Sequence, residues 1–155
     1  MVEIVIATSI IAVFALVSLN VAQKSIVVSH RSIHTAQAAY LLEEGAESVK
    51  IFRDNNTWAN FTTTLFDPAS TYCLSDTVAS WTSALSTNSP CTKIGVFTRT
   101  INTATVNRDD MSGDIVSSGG TLDSGTRLFT ITVSWPESGN IITKTLKFYV
   151  NNIHS

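Results

Sequence analysis

The chain has 155 residues, enough for one domain of ordinary size, with 44% apolar residues and a net charge of −2. Only 14% of its side chains are charged, against about 25% in a typical soluble domain. This balance excludes a general basic surface for nucleic acid. It points to a chain partly in membrane or packed against copies of itself.

The first predicted element is MVEIVIATSIIAVFALVSLNVAQ. Glu3 is its one charged side chain, and Lys24 is the first basic one. Residues 4–23 contain no charge, Pro or Gly, and as a helix they extend about 30 Å, enough to cross a bilayer core. A helix apolar all the way round needs an apolar neighbour on every side. Ala7, Ser9, Ala12, Ala15, Ser18 and Ala22 are small enough to let another helix approach closely.

Three readings of this run compete. A secretory signal peptide needs a basic start and a small-residue cleavage site, and no Lys or Arg precedes the run. A plain anchor fits the length, but Lys24 and Arg31 would then keep the remainder in the cytoplasm. A processed anchor, its basic leader removed, leaves a new amino terminus near Met1. A carboxylate kept from water is costly unless paired. The positive group at hand for Glu3 is the α-amine of a chain terminus, either its own or that of an adjacent copy, which would fix a stagger between parallel helices.

The stretch MVEIVIATSIIAVFAL resembles the mature start of the type IV pilin family, including the pseudopilins of type II secretion. The likeness covers about the first 25 residues, and YLLEEGAESVKIFRDNN resembles the continuation of the long pilin helix. It implies a pilin fold of the α+β class: a long N-terminal helix, half of it apolar and protruding, packed on an antiparallel sheet head. It implies a leader peptidase, a methylated terminal amine at Met1, and an assembly role for Glu3 and Met1. The family's glutamate stands fifth in the mature chain and here it is third. The expectation is that two residues precede Met1, with a shifted mature start as the alternative.

Nothing stops the helix at Gln23. Ile26, Ile33 and Tyr40 recur every seven residues, with Leu41, Ile51 and Phe52 near the same side and Glu43, Glu47 and Lys50 away from it. Glu47 and Lys50 are spaced to pair. Gly45 weakens the helix by about 1 kcal/mol without breaking it. Asp54, Asn55 and Asn56 give the stop signal, so the helix is predicted over residues 2–53, about 75 Å. The mixture Val17, Ser18, Leu19, Asn20 and Val21 is a weaker helix former, and local melting is expected there within a filament.

Residues 54–92 read as a loop-rich connector with a short helix around residues 76–85. Trp58, Phe61, Leu65, Phe66 and Trp81 give it a small core. Cys73 and Cys91, with 17 residues between them, do not suit a CxxC redox or zinc motif. A structural disulfide is the plain reading; it would contribute about 3 kcal/mol and place this part outside the cytoplasm.

Three strands follow. KIGVFTRTINTATV is the first. In TRLFTITVSW, Phe129, Ile131, Val133 and Trp135 share a face; in NIITKTLKFYVN, Ile142, Leu146, Phe148 and Val150 do, with Lys144 the exception. PESGN joins the last two as a hairpin loop. NRDDMSGDIVSSGGTLDSG is expected to be an exposed polar loop. The predicted divisions are 1–25, the membrane or filament-core half of the helix; 26–53, its amphipathic half; 54–92, the connector; and 93–155, the sheet head.

His30 and His34, four apart, could face one metal but no third ligand is near. Asp109, Asp110 and Asp114 around Gly113 offer oxygen ligands in a spacing unlike an EF-hand loop. Asn55 (NNT) and Asn60 (NFT) stand in glycosylation-type triplets. No catalytic motif is present, and no cofactor is expected.

The resemblance implies a structural subunit that polymerises into an extracellular type IV pilus for adhesion, motility or surface attachment. Its partners would be identical subunits, the inner membrane before assembly, and the pilus assembly machinery, with no nucleic acid. Two alternatives stand beside it. One is a minor pseudopilin of a secretion or DNA-uptake pseudopilus; the other is a membrane-anchored extracytoplasmic binding domain that never polymerises.

Overall fold

Helix α1 spans Val2–Asp54 in the computed structural model, which describes residues 1–68, 70–74, 85–87 and 91–153. The chain divides into two compact units, Met1–Gln37 and Ala38–Ser155. In the second unit α1 lies on an antiparallel sheet, the α+β architecture expected from the sequence.

The end of α1 follows from its Asn residues. The Asn55 carboxamide donates to Ile51 O at 2.9 Å and the Asn56 carboxamide to Phe52 O at 2.8 Å. The first adds to the bond that Asn55 N donates to the same carbonyl at 3.1 Å, and the second satisfies a carbonyl that the helix leaves open at its last turn. Thr57 then caps a short helix α2 (Trp58–Asn60), which continues as a single π turn over Phe61–Leu65.

The strands are β1 (Thr71–Leu74), β2 (Leu85–Ser86), β3 (Thr98–Arg108), β4 (Ile115–Val116), β5 (Thr121–Glu137) and β6 (Asn140–Asn151). Their order is β2-β1-β3-β5-β6, with β4 paired to β3 off that path. The inner face of β5 carries Phe129, Ile131, Val133 and Trp135, all fully buried, as its period-two pattern requires. On β6, Val150 is buried and Ile142, Leu146 and Phe148 are half-buried beside them.

The face that α1 turns to the sheet agrees with the expected one at Phe52, which is buried, and at Leu41 and Ile51, which are half-buried, while Glu43, Glu47 and Lys50 are exposed; the rest of it differs. Ala38, Gly45, Ala46, Val49 and Phe52 are buried, whereas Tyr40 is 72% exposed. Ile26 and Ile33 are exposed as well. Small side chains decide the matter, because they let the helix backbone come close to the strands. A Cβ built on Gly45 would stand 3.1 Å from both Cδ1 and Cγ2 of Ile131, so the position holds a residue with no side chain to fit.

The connector's aromatic residues do not form a core of their own. Phe66 sits at the centre of a cluster, its ring centroid 5.8 Å from Phe52, 5.2 Å from Phe61 and Tyr72, and 5.1 Å from Phe129. Helix, connector and sheet thus share one core, with Trp58 and Leu65 at its margin. Trp81 and most of the expected helix at 76–85 lie outside the described residues; Leu85 opens β2. Cys73 and Cys91 are joined by a disulfide with Cα atoms 5.2 Å apart.

The stretch expected to be an exposed loop, 107–125, is partly strand. β3 runs on to Arg108, β4 pairs with it, and β5 begins at Thr121. Gly120, at φ +68°, makes the return possible: a Cβ there would overlap the Arg108 carbonyl. The hairpin between β5 and β6 is tighter than PESGN suggests. Glu137 pairs with Asn140, leaving only Ser138 and Gly139 in the turn, both at positive φ. Two such residues match the right-handed twist of the flanking strands.

Candidate functional site: the apolar helix and its terminus

Within Met1–Gln37 every residue but His34 is exposed. The helix contains an 18-residue window of mean hydropathy 2.5, none of it buried, and is long and apolar enough to cross a membrane. These properties suggest membrane association. Ser9, Ile10, Val13, Phe14 and Val17 line a shallow apolar groove along it.

Four polar side chains in this run turn back onto the helix. Thr8 Oγ1 donates to Ile4 O at 2.9 Å, Ser9 Oγ to Val5 O at 2.7 Å, Ser18 Oγ to Phe14 O at 2.9 Å, and Asn20 Nδ2 to Leu16 O at 3.0 Å. Helical geometry places each of these carbonyls one turn below its donor. The helix is continuous through Val17–Val21, whose composition favours it least.

Glu3 lies in the first turn and Met1 is fully exposed. Negative charge at a helix start complements the macrodipole, worth about 0.3–1 kcal/mol at an exposed position. Among the described residues no ion pair joins Glu3 to the rest of the chain, its own terminal amine included.

The other sequence-derived candidates are dispersed. Asn55 is exposed at the end of α1 and Asn60 is half-buried in α2. His30 and His34 lie on α1, and no group of three or more His, Cys, Asp or Glu side chains suited to a metal occurs among the described residues. Asp109 organises its own loop, accepting from the N–H groups of Ser112 at 2.8 Å and Met111 at 3.0 Å. Those bonds, Ser112's above all, hold its carboxyl below the usual carboxylate range.

One interacting residue escaped the sequence reading. Arg99, on the inner face of β3, is 1% exposed and meets Glu44 of α1. The alternation Phe97, Arg99, Ile101, Thr103 carries the signal, since it places a guanidinium among buried positions.

No family model, characterised protein or solved structure matches the chain. A long apolar N-terminal helix, an antiparallel sheet and a disulfide are compatible with a pilin fold.

Proposed function

We propose that the chain is a pilin-like structural subunit whose work is assembly rather than chemistry. The observation that carries this reading is a single helix with two surfaces. Its first part is uncharged from residue 4 to residue 23 and exposed on every side. Its last part is fixed to a sheet through Ala46, Val49 and Phe52. A surface of the first kind is stable only in lipid or against other apolar helices. The inner membrane holds the subunit first, and stems of neighbouring copies pack together in an extracellular filament. Glu3, which has no ion pair among the described residues, meets the terminal amine of an adjacent copy and sets the axial stagger. The sheet domain faces outward and carries adhesion or surface properties.

The test is Glu3→Ala in the native host. The variant folds and fractionates with the membrane as the parent does, while surface filaments disappear from electron micrographs. Filaments at the parent's level remove Glu3 from the assembly role. Mass spectrometry of the main band of purified surface fibres tests the reading itself. This chain as the bulk of the fibre supports a major subunit. A trace amount supports a minor subunit, and absence from any fibre a monomeric anchored domain.

A further inference from the structure

We propose that Asn55 is an acceptor for an Asn-linked glycan and that Asn60, in the same triplet pattern, is not. The two sites differ in geometry. Asn55 is exposed just beyond the last turn of α1, and Thr57, two residues on, is exposed with an extended backbone, φ −65° and ψ 148°. The Asn55 Nδ2 donates to Ile51 O at 2.9 Å. A carboxamide has two N–H groups, so replacing one by a bond to sugar leaves the other for that carbonyl.

Asn60 has helical φ and ψ of −62° and −41°, and its Nδ2 donates to Asn56 Oδ1 at 2.8 Å. The residues after it, Phe61 and Thr62, are buried. Thr62 Oγ1, the hydroxyl the triplet requires, donates to Trp58 O at 2.8 Å. Reaching Asn60 means opening this turn among buried side chains; at Asn55 only exposed groups give way, the Nδ2 bond to Ile51 O and the long 3.4 Å bond that Thr57 Oγ1 accepts from Asn60 N.

The surroundings of Asn55 suit a sugar. Asp54, Asn56, Thr57, Trp58 and Asn152 line a groove with it, and the indole N–H of Trp58 donates to Ser124 O at 2.8 Å, which fixes the ring. An aromatic wall and amide and carboxylate groups match the apolar face and the hydroxyls of a pyranose. The donor is an oligosaccharide pyrophosphate on a polyprenyl lipid, used by a membrane transferase. The Asn55 amide nitrogen attacks the anomeric carbon. A C–N bond forms as the C–O bond to pyrophosphate breaks, the amide proton passes to a base on the transferase, and the lipid pyrophosphate leaves. The assembly reading bears on this only by placing the domain where such a transferase works.

The experiment keeps the two readings apart. Purified full-length chain in detergent, folded or denatured and reduced, is incubated with a transferase that requires only Asn-X-Thr/Ser and with its lipid-linked donor. Glycopeptides are quantified by mass spectrometry. The denatured chain accepts sugar at both asparagines. In the folded chain occupancy at Asn55 exceeds that at Asn60 by more than about tenfold, because Asn60 is reached only through local opening. Asn55→Gln abolishes the folded-chain product. Since that change also removes a helix-end bond, Thr57→Ser, which keeps the hydroxyl, and Thr57→Val, which loses it, are compared: the first retains modification and the second does not. A folded chain that takes sugar at Asn60, or at neither site, overturns the assignment and leaves the assembly reading untouched.

Discussion

Arg99 of β3 reaches Glu44 of α1, Nη1 to Oε2, at 2.7 Å, with the guanidinium buried and the carboxylate 46% exposed. The same guanidinium donates to Leu41 O at 3.2 Å and to Leu74 O at 3.4 Å. One side chain therefore ties α1 to two adjacent strands. Removing one partner of a buried pair costs more than the pair contributes. Glu44→Ala is expected to destabilise the sheet domain by about 1–3 kcal/mol, the lower end reflecting water's access to the vacated side. Arg99→Met, which removes the buried charge, is expected to be less harmful than Glu44→Ala. Urea unfolding of both variants and of the double variant checks this; equal losses for the two single changes would refute it.

Gly45 sets two effects against each other. Alanine there improves helix propensity by about 1 kcal/mol, yet its methyl meets Ile131 at 3.1 Å. Gly45→Ala is therefore expected to leave stability nearly unchanged. Gly45→Leu cannot be accommodated and is expected to cost about 1–3 kcal/mol. Thermal unfolding of the two variants separates these outcomes.

Asp123 accepts from Arg108 Nε at 2.6 Å and from Gly125 N at 2.8 Å. The Thr126 hydroxyl and then the Arg108 guanidinium hold its carboxyl below the usual carboxylate range. A group lowered on folding contributes stability that is complete above its unfolded pKa, about 3.9, and is lost as pH falls from there toward the folded value. The parent is expected to lose stability on acidification below about pH 4. Asp123→Asn should show a shallower acid limb, with the slope from Asp109, lowered in the same sense, remaining. Denaturant midpoints across the acid range provide the measurement.

Lys144 interrupts the apolar face of β6, paired in register with buried Val133. Within the described sheet β6 is a terminal strand, twelve residues long. Charge on the inner side of such a strand opposes pairing with another edge, because a second strand would trap it without water. Lys144→Ile is expected to keep the fold and to speed the growth of light scattering on mild heating in detergent. An unchanged rate would mean that the lysine gives no protection.

Much of this architecture is legible in the sequence, and the failures have physical causes. The stop of α1 is written in Asp54, Asn55 and Asn56, and the carboxamides of the two asparagines donate to carbonyls of the last turn. The buried face of β5 follows from strict alternation. The sheet-facing stripe of α1 is legible at Leu41, Ile51 and Phe52 but not throughout, because Tyr40 also keeps helical spacing and is large yet exposed. Against a sheet, the close approach is made by Ala38, Gly45 and Ala46, which a size-based reading discounts. β4 and the start of β5 were hidden in a Gly-, Ser- and Asp-rich stretch, because pairing to β3, not local propensity, makes them strands. Arg99 was visible as an alternating position, but its partner Glu44 is 55 residues away in sequence, and only the fold brings them together.

The hydroxyls and the carboxamide of Thr8, Ser9, Ser18 and Asn20 donate to carbonyls of their own helix. Such donors ask the same of any apolar surroundings. Under the assembly reading, transfer of a stem between bilayer and fibre then leaves these four bonds intact, and what changes is the fit of the apolar surface together with the pairing of Glu3. Under that reading these polar groups of the stem favour neither surroundings, so the apolar side chains and Glu3 decide between them.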